Sequence, residues 1–112
     1  MTSTYRVLTE VALDTLGRGF FDVVVCGDEV AATKPDPAPY LRAAELLDVD
    51  PSRCVAVEDS AAGSTSAAAA GAAVLVVPAG VPVPTGEGRT FRDTLEGLRV
   101  EDLRALVPAR VP

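Results

Sequence analysis

The sequence predicts an α/β fold, in which helices cover both faces of a parallel β-sheet. Three short apolar runs rich in β-branched residues, typical of strands buried on both faces, alternate with segments whose apolar residues recur at helical spacing. Alternation of this kind implies right-handed crossovers between parallel strands. Ligand sites in such sheets lie at the carboxyl ends of the strands. The polar residues that follow each run are therefore the candidates for function.

The amino-terminal half predicts two helices with one strand between them. Apolar residues at helical spacing predict a helix over residues 5–16 that stops before Gly17. The run from Phe20 to Cys26 predicts a strand, which Gly27 and Asp28 end. Asp36 can cap a second helix with a proline in its first turn. The apolar stripe of that helix comprises Tyr40, Leu41, Ala44 and Leu47.

The carboxy-terminal half repeats the pattern with smaller side chains. Its predicted elements, in order, are a strand at 54–57, a helix of small residues at 61–70, a strand at 74–77, a Pro- and Gly-rich loop at 78–88 and a short helix at 101–107. Gly71 ends the helix of small residues. The predicted order of elements is αβαβαβα, and a chain of 112 residues holds one modest domain.

Composition excludes several classes of function. The chain has 48% hydrophobic and 23% charged residues, which is globular, and a net charge of −6 with no basic stripe, which disfavours nucleic-acid binding. It has no histidine, so Ser-His-Asp and Cys-His catalysis and His-based zinc sites are excluded. The run 67–83 is broken by two prolines and predicts no membrane span. Two isolated cysteines and an amino terminus unlike a signal peptide favour the cytoplasm.

One lysine and two adjacent carboxylates are the strongest candidates for chemistry. Lys34, the only lysine, lies in Lys-Pro-Asp-Pro, and Glu58 and Asp59 follow the second predicted strand. Two carboxylates at a strand end can bind Mg²⁺, both directly or one of them through water, and the lysine can contact a phosphoryl oxygen or hold a carboxylate in place. The alternatives are that the acids cap the next helix and that the lysine is a solvated loop residue.

Two further segments offer hydroxyl groups near helix starts. Ser60 precedes the predicted helix of small residues, and Gly63 lies near its start. Together they could form a cradle for an anion. The Thr2-Ser3-Thr4 segment could donate hydroxyl and backbone hydrogen bonds to a phosphate, or it could merely provide an N-cap for the first helix at Thr4. Taken alone, the amino-terminal segment favours the cap.

Taken together, these segments resemble one family. The segments at 20–30, 34–41 and 55–63 and the Ala-Ala-Ala-Ala-Gly stretch at 67–71 resemble the haloacid dehalogenase-like hydrolases, in particular the β-phosphoglucomutase-like phosphatases and phosphomutases. The resemblance implies a Rossmann-like three-layer αβα fold, the HAD-like fold. It further implies that residues 1–112 are the C-terminal portion of the core domain.

The resemblance also assigns roles to the candidate residues. It implies that Lys34 is a catalytic, phosphate-binding lysine, that Glu58 and Asp59 bind Mg²⁺ and that Thr2, with Ser3 beside it, binds the transferring phosphoryl group. Ser60 and Gly63 belong to the supporting loop. The family often has an acid where this chain has Ala38.

The family's nucleophile has no counterpart among these residues. Family members carry an Asp-x-Asp in the first strand, whose first aspartate forms an aspartyl-phosphate. The only such triplet here, Asp48-Val49-Asp50, precedes Pro51 in a turn and is interpreted as unrelated. In the family's strand order 5-4-1-2-3, the predicted strands match numbers 3, 4 and 5. Strand 3 then has no neighbour, so we expect the isolated chain to be marginally stable, rearranged or prone to aggregation.

The functional hypothesis is an Mg²⁺-dependent phosphatase or phosphomutase that acts on a small phosphorylated metabolite, such as a sugar phosphate. The chain alone, without the nucleophile, is expected to be inactive. The alternative is a non-catalytic remnant or half-protein that pairs with a separately encoded N-terminal part or associates with itself. A third hypothesis is a truncated gene product without a function of its own.

Overall fold

The computed structural model describes residues 1–108, apart from the side chain of Phe20. The helices are α1 (Arg6–Leu16), α2 (Ala38–Leu47), α3 (Ala61–Ala69) and α4 (Val100–Leu106), and the strands are β1 (Val55–Glu58), β2 (Ala73–Val76) and β3 (Arg89–Phe91). Short 3₁₀ turns lie at Arg18–Phe20, Gly27–Glu29 and Pro51–Arg53. The predicted helices and the second and third predicted strands are confirmed, with ends shifted by one residue or so.

The three strands form one parallel sheet in the order β1-β2-β3. Val55 pairs with Ala73 and Glu58 with Val76, and β2 pairs with β3 from Val74–Arg89 to Val76–Phe91. The polypeptide leaves β1 at Glu58 and turns directly into α3. This is a βαβ crossover, and it places the acidic pair at the carboxyl edge of the sheet, where α/β proteins bind ligands.

The core lies between the sheet and α3. Its buried cluster consists of Ala56, Ala67, Ala72, Val74 and Val76. Alanine and serine side chains allow α3 to approach the sheet closely, and Ala67 and Ser66 are fully buried there. Tyr40 of α2 packs against the same cluster and therefore joins the second helix to the sheet. The core thus supports both the strand end and the helix that flank the candidate site.

The prediction of a strand over Phe20–Cys26 is wrong, because this segment does not join the sheet. The segment begins in a 3₁₀ turn, continues as extended chain and forms no ladder with the sheet, although Val25 and Cys26 are buried. Its partner is the amino-terminal segment, since Thr2 N donates to Val25 O at 2.9 Å and Gly27 N donates to Thr4 O at 3.0 Å. A strand needs a continuous neighbouring backbone, and in the described residues this segment and the glycine after it have only these two backbone hydrogen bonds to residues 2–4, so the segment remains extended chain.

The third strand of the sheet lies instead at Arg89–Phe91, beyond the predicted loop. Three residues with mixed polarity give no periodic signal, so the sequence did not indicate this strand. The order of elements is consequently ααβαββα rather than αβαβαβα. None of the helices within residues 1–108 combines the length and the apolar character that a membrane crossing requires.

Candidate functional site

A buried ion pair forms the centre of the candidate site. Lys34 Nζ donates to Glu58 Oε1 at 2.7 Å, and the two side chains are 18% and 5% exposed. Lys34 belongs to the loop before α2, and its peptide bond to Pro35 is cis. Glu58 is the last residue of β1. The structure therefore joins two of the predicted site residues, in the arrangement in which the lysine holds a carboxylate in place.

Tyr40 is a third member of this group. Its hydroxyl donates to Glu58 Oε1 at 2.5 Å, and Lys34 Nζ lies 5.9 Å from the centre of its ring. Burial, and then the hydrogen bond and the negative charge of Glu58, raise the pKa of Tyr40 well above its ordinary value. The sequence interpretation placed Tyr40 in the apolar stripe of α2. The available signal was that a buried tyrosine hydroxyl requires a partner.

Gly63 is adjacent to the Glu58 carboxylate because it has no side chain. A Cβ atom at this position would lie 1.9 Å from Glu58 Oε2 and 2.2 Å from its Cδ. Gly63 lies in the first turn of α3 and is itself buried. The helix start can therefore pack directly on the carboxylate, and glycine is required here for space rather than for backbone conformation.

Asp59 differs from its neighbour in every respect that matters for ligand binding. Its side chain is exposed, and within residues 1–108 it makes no hydrogen bond or ion pair. Glu58, in contrast, accepts two hydrogen bonds at one oxygen. The two carboxylates are therefore not equivalent: Glu58 is held by protein groups, and Asp59 is free to bind an external group.

The helix start after Asp59 is capped by Ser60. Its Oγ accepts a hydrogen bond from Gly63 N at 3.1 Å, which is the N-cap geometry. The alternative in which Glu58 and Asp59 cap α3 is therefore wrong for the described structure. Because the Ser60 hydroxyl oxygen is used within the helix, its contribution to an anion cradle would have to come through its O–H donor.

The loop that carries Lys34 is fixed to α3. Ser66, which is fully buried, donates from Oγ to the backbone oxygen of Asp36 at 2.6 Å. Asp36 Oδ1 accepts from Ala38 N at 2.9 Å, so the predicted capping contact at the start of α2 is present, although Pro37 is the N-cap residue. The loop and the helix that follows β1 are thereby held together, which sets the position of Lys34 relative to Glu58.

Thr2 and Ser3 lie beside the chain segment that ends at Gly27. Thr2 Oγ1 accepts from Thr4 N at 3.1 Å, and a Cβ atom at Gly27 would lie 2.1 Å from Ser3 O. No hydrogen bond joins either residue to Lys34, Glu58 or Asp59 in the described part of the chain. The segment is nevertheless near the site: burial, and then the positive charge of Lys34, lower the pKa of the Met1 amino group.

The capping role considered for Thr4 is wrong. Helix α1 begins at Arg6 with Tyr5 as N-cap, and no side chain of the N-cap residue accepts a hydrogen bond. Asp28 supplies the cap from a distant part of the sequence, because its Oδ1 accepts from Arg6 N at 3.0 Å. The side chain of Thr4 is therefore not used to start the helix.

The Asp48-Val49-Asp50 triplet lies before the amino end of β1, opposite the carboxyl end at which Glu58 lies. Asp48 is the C-cap of α2, and Asp50 caps the 3₁₀ turn through Ser52 N. Both residues precede β1, whereas Glu58 ends it. The interpretation that this triplet is unrelated to the family's nucleophile agrees with its position at the amino end of the strand.

The donor set suits a hard cation that keeps most of its water. In residues 1–108, no three carboxylate, thiol or imidazole groups are close enough together to form a metal site. Mg²⁺ is commonly bound by one or two carboxylates, several waters and phosphate oxygens. The free carboxylate of Asp59, with Glu58 beside it, could supply the protein ligands of such a Mg²⁺ ion. These residues do not suit a cation that needs a complete cage of protein ligands.

Comparisons with known proteins agree with this fold. A haloacid dehalogenase-like hydrolase model matches residues 1–71. Protein CbbY of Rhodobacter capsulatus is 51% identical over 92 residues, and phosphoglycolate phosphatase of Cupriavidus necator is 41% identical over 96 residues. A crystal structure of CbbY from Rhodobacter sphaeroides in complex with phosphate aligns over 77% of this chain and 40% of its own, with 36% identity and a TM-score of 0.68. The chain belongs to the haloacid dehalogenase-like hydrolase family.

The match covers most of this chain but a minority of each relative. The alignments use 82% of this chain, 38% of the Rhodobacter capsulatus protein and 40% of the Cupriavidus necator protein. The chain thus spans about two fifths of the length of these relatives. The comparisons establish the family and the HAD-like fold of this chain. The activity of the whole relatives is carried over to this chain only as a proposal.

Proposed function

We propose that this chain provides the phosphate- and Mg²⁺-binding part of the active site of a phosphatase or phosphomutase that acts on a small phosphorylated metabolite, such as a sugar phosphate. The observation that carries the proposal is the buried pair between Lys34 and Glu58, with the free carboxylate of Asp59 next to it, at the carboxyl edge of the sheet. The family relatives include a phosphatase and a protein crystallised with phosphate.

The proposed roles follow from exposure and contacts. Lys34 contacts a phosphoryl oxygen with its ammonium, and Glu58 holds that ammonium in place. Asp59 binds Mg²⁺ directly, and Glu58 assists through water because one of its oxygens already accepts two hydrogen bonds. Mg²⁺ would supply charge neutralisation at the phosphoryl group. Thr2 and Ser3 remain proposed phosphate donors, and Ser60 and Gly63 support the loop.

The nucleophile is proposed to come from outside these 112 residues, since their one Asp-x-Asp triplet lies before the amino end of β1, away from Glu58 and Asp59. Binding and turnover can therefore be separated experimentally. We also propose a reducing compartment such as the cytoplasm, because Cys26 and Cys54 are free thiols.

Calorimetric titration with inorganic phosphate in the presence of Mg²⁺ tests the proposal. The matched variants are Lys34→Gln and Arg53→Gln, which remove one positive charge each. Arg53 is exposed and its side chain forms no hydrogen bond in the described residues. Loss of a charged hydrogen bond should weaken phosphate binding about tenfold or more in Lys34→Gln and leave it nearly unchanged in Arg53→Gln. Equal weakening in both variants would show a nonspecific charge effect and refute the proposal.

A second titration tests the metal. Asp59→Asn should weaken Mg²⁺ binding about tenfold or more, whereas Asp93→Asn, at another exposed acid, should not. Unchanged Mg²⁺ affinity in Asp59→Asn would remove Asp59 from the proposed site.

The alternative function is a half-protein that pairs with a separately encoded N-terminal part, and the free edge of β1 favours it. Cys54 O and Glu58 O accept from Ala73 N and Val77 N, so the backbone groups of Val55 and Val57 point away from β2. In the described residues no strand pairs with that edge. A cavity of about 250 Å³ is lined both by β1 residues and by Val23 and Val25.

Val57→Pro tests the alternative. Proline removes the outward N–H and is tolerated at a free edge, so the chain should fold but lose a partner strand. Support requires two results: a co-purifying protein that carries Asp-x-Asp-Gly-Thr, and loss of that protein with Val57→Pro. Retention of the protein by the variant would show that it does not bind through this edge.

A further inference from the structure

We propose that Tyr40 is a positioning residue of the phosphate site, which holds Glu58 in the orientation that fixes Lys34. The inference rests on the proposed phosphate-binding role of Lys34. The hydroxyl of Tyr40 and the ammonium of Lys34 donate to the same atom, Glu58 Oε1, at 2.5 Å and 2.7 Å. Tyr40 therefore acts on the ligand-binding lysine through a carboxylate and need not touch the ligand.

The position of Tyr40 on α2 explains how it reaches the carboxylate. Helical side chains lean toward the amino terminus of the helix, and Tyr40 lies in the first turn, next to the loop that carries Lys34. The ring packs against the core cluster and so cannot move freely. A rigid ring presents its hydroxyl at a fixed point, which an equally polar but flexible side chain would not do.

Burial makes this hydrogen bond consequential. A carboxylate that is 5% exposed has lost most of its water and depends on protein donors. Lys34 supplies one donor and Tyr40 the other, and within residues 1–108 no third side chain donates a hydrogen bond to this carboxylate. Without the hydroxyl, Lys34 would be the one side chain within residues 1–108 that still donates to the carboxylate, and the pair could rotate together.

The single lysine of the chain provides a direct readout. Isotope-labelled lysine gives one side-chain NMR signal set, that of Lys34, without assignment by mutation. Tyr40→Phe keeps the ring and removes only the hydroxyl, and Tyr5→Phe is the matched control because Tyr5 is the other tyrosine and is 64% exposed. In the free protein, Tyr40→Phe should shift the Lys34 signal, and Tyr5→Phe should not. An unshifted signal in Tyr40→Phe would overturn the proposal.

A double-mutant comparison separates action of the Tyr40 hydroxyl through Glu58 from any action of the hydroxyl that does not involve Glu58. Glu58→Gln should shift the Lys34 signal, and adding Tyr40→Phe to it should shift the signal little further. If Tyr40→Phe has the same effect with Glu58 and with the glutamine, the hydroxyl would act on Lys34 without the carboxylate, and the positioning role would be wrong. Glu58→Gln also serves as a second test of the pair should Tyr40→Phe fold poorly.

Phosphate titration of the same samples distinguishes this inference from the proposed function. The phosphate affinity measured from the Lys34 signal should fall about three- to tenfold in Tyr40→Phe, less than for loss of a direct charged hydrogen bond, because Tyr40 acts on Lys34 only through Glu58. Unchanged affinity in Tyr40→Phe would overturn the positioning role. If phosphate shifts the Lys34 signal in no sample, including the parent chain, the phosphate-binding proposal fails, and Tyr40 then merely orients a structural ion pair.

Discussion

Gly63→Ala should disrupt the ion pair between Lys34 and Glu58, because Gly63 lies directly against the Glu58 carboxylate. The added methyl group would lie 1.9 Å from Glu58 Oε2 and 2.5 Å from Oε1, distances at which one of the groups must move. Glu58 is held by Lys34 and Tyr40, and Gly63 is itself buried in the first turn of α3. The carboxylate must therefore leave its partners, or the helix must shift.

The expected loss of stability is large for a single methyl group. Overpacking costs about 1–3 kcal/mol, and breaking a buried ion pair costs about 3–5 kcal/mol. Because part of the strain is relieved when the carboxylate moves, we expect a decrease of about 3 kcal/mol in the free energy of unfolding. This is a sizeable fraction of the roughly 5–15 kcal/mol of a typical domain.

Pulse proteolysis in urea measures this change at low protein concentration, where association of the chain interferes least. Gly19→Ala is the matched control, because no described atom beyond the neighbouring residues lies within 4 Å of a Cβ at Gly19. We expect that variant to change stability by less than about 0.5 kcal/mol. In a Glu58→Ala background, Gly63→Ala should lose most of its effect, since the atoms it would contact are gone. Equal, small effects of Gly63→Ala and Gly19→Ala would refute the packing argument.

Three further predictions concern ionisation, association and turnover. In Tyr5→Phe, Tyr40 is the one remaining tyrosine, and its tyrosinate absorbance should appear only well above pH 10.0, because burial and the hydrogen bond to Glu58 raise its pKa. The stability that the neutral hydroxyl contributes is present below pH 10.0 and is lost as the pH rises further. Ionisation of Tyr40 near pH 10.0 would contradict this prediction. Sedimentation velocity should show concentration-dependent association, because Val7, Val11 and other apolar residues of α1 are more than 60% exposed and no strand among residues 1–108 pairs with the outer edge of β1. A monomer with a sharp cooperative melt would contradict this prediction. The chain alone should not hydrolyse an aryl phosphate with Mg²⁺, and turnover that Asp59→Asn abolishes would show that the nucleophile lies within it.

The sequence predicted most elements because their signals are local. Apolar spacing located the helices, and β-branched runs located β1 and β2 to within a residue or so. The run Phe20–Cys26 has the same local signal, but a strand also requires a neighbouring backbone, and residues 1–108 provide only the Thr2–Thr4 segment. Local pattern cannot report the absence of a neighbour. Only the family's strand order indicated it.

The candidate site was predictable to the extent that it follows strand ends. Lys34 and Glu58 were expected near each other, and the structure pairs them. Tyr40 was not recognised, because its hydroxyl partner lies 18 residues away in sequence and an aromatic residue on a helix resembles a core residue. The different roles of Glu58 and Asp59 were also not visible, since adjacent acids look equivalent until their exposure is known.

The central claim is that Lys34 and a metal bound at Asp59 belong to one site, and Mn²⁺ in place of Mg²⁺ tests it most directly. Paramagnetic Mn²⁺ broadens the signals of nearby nuclei, and labelled Lys34 is the only lysine observed. Our account predicts strong, Mg²⁺-competed broadening of the Lys34 side-chain signal in the parent chain and in Asp93→Asn, and its loss in Asp59→Asn. A sharp Lys34 signal at saturating Mn²⁺, or broadening that persists in Asp59→Asn, would contradict the claim.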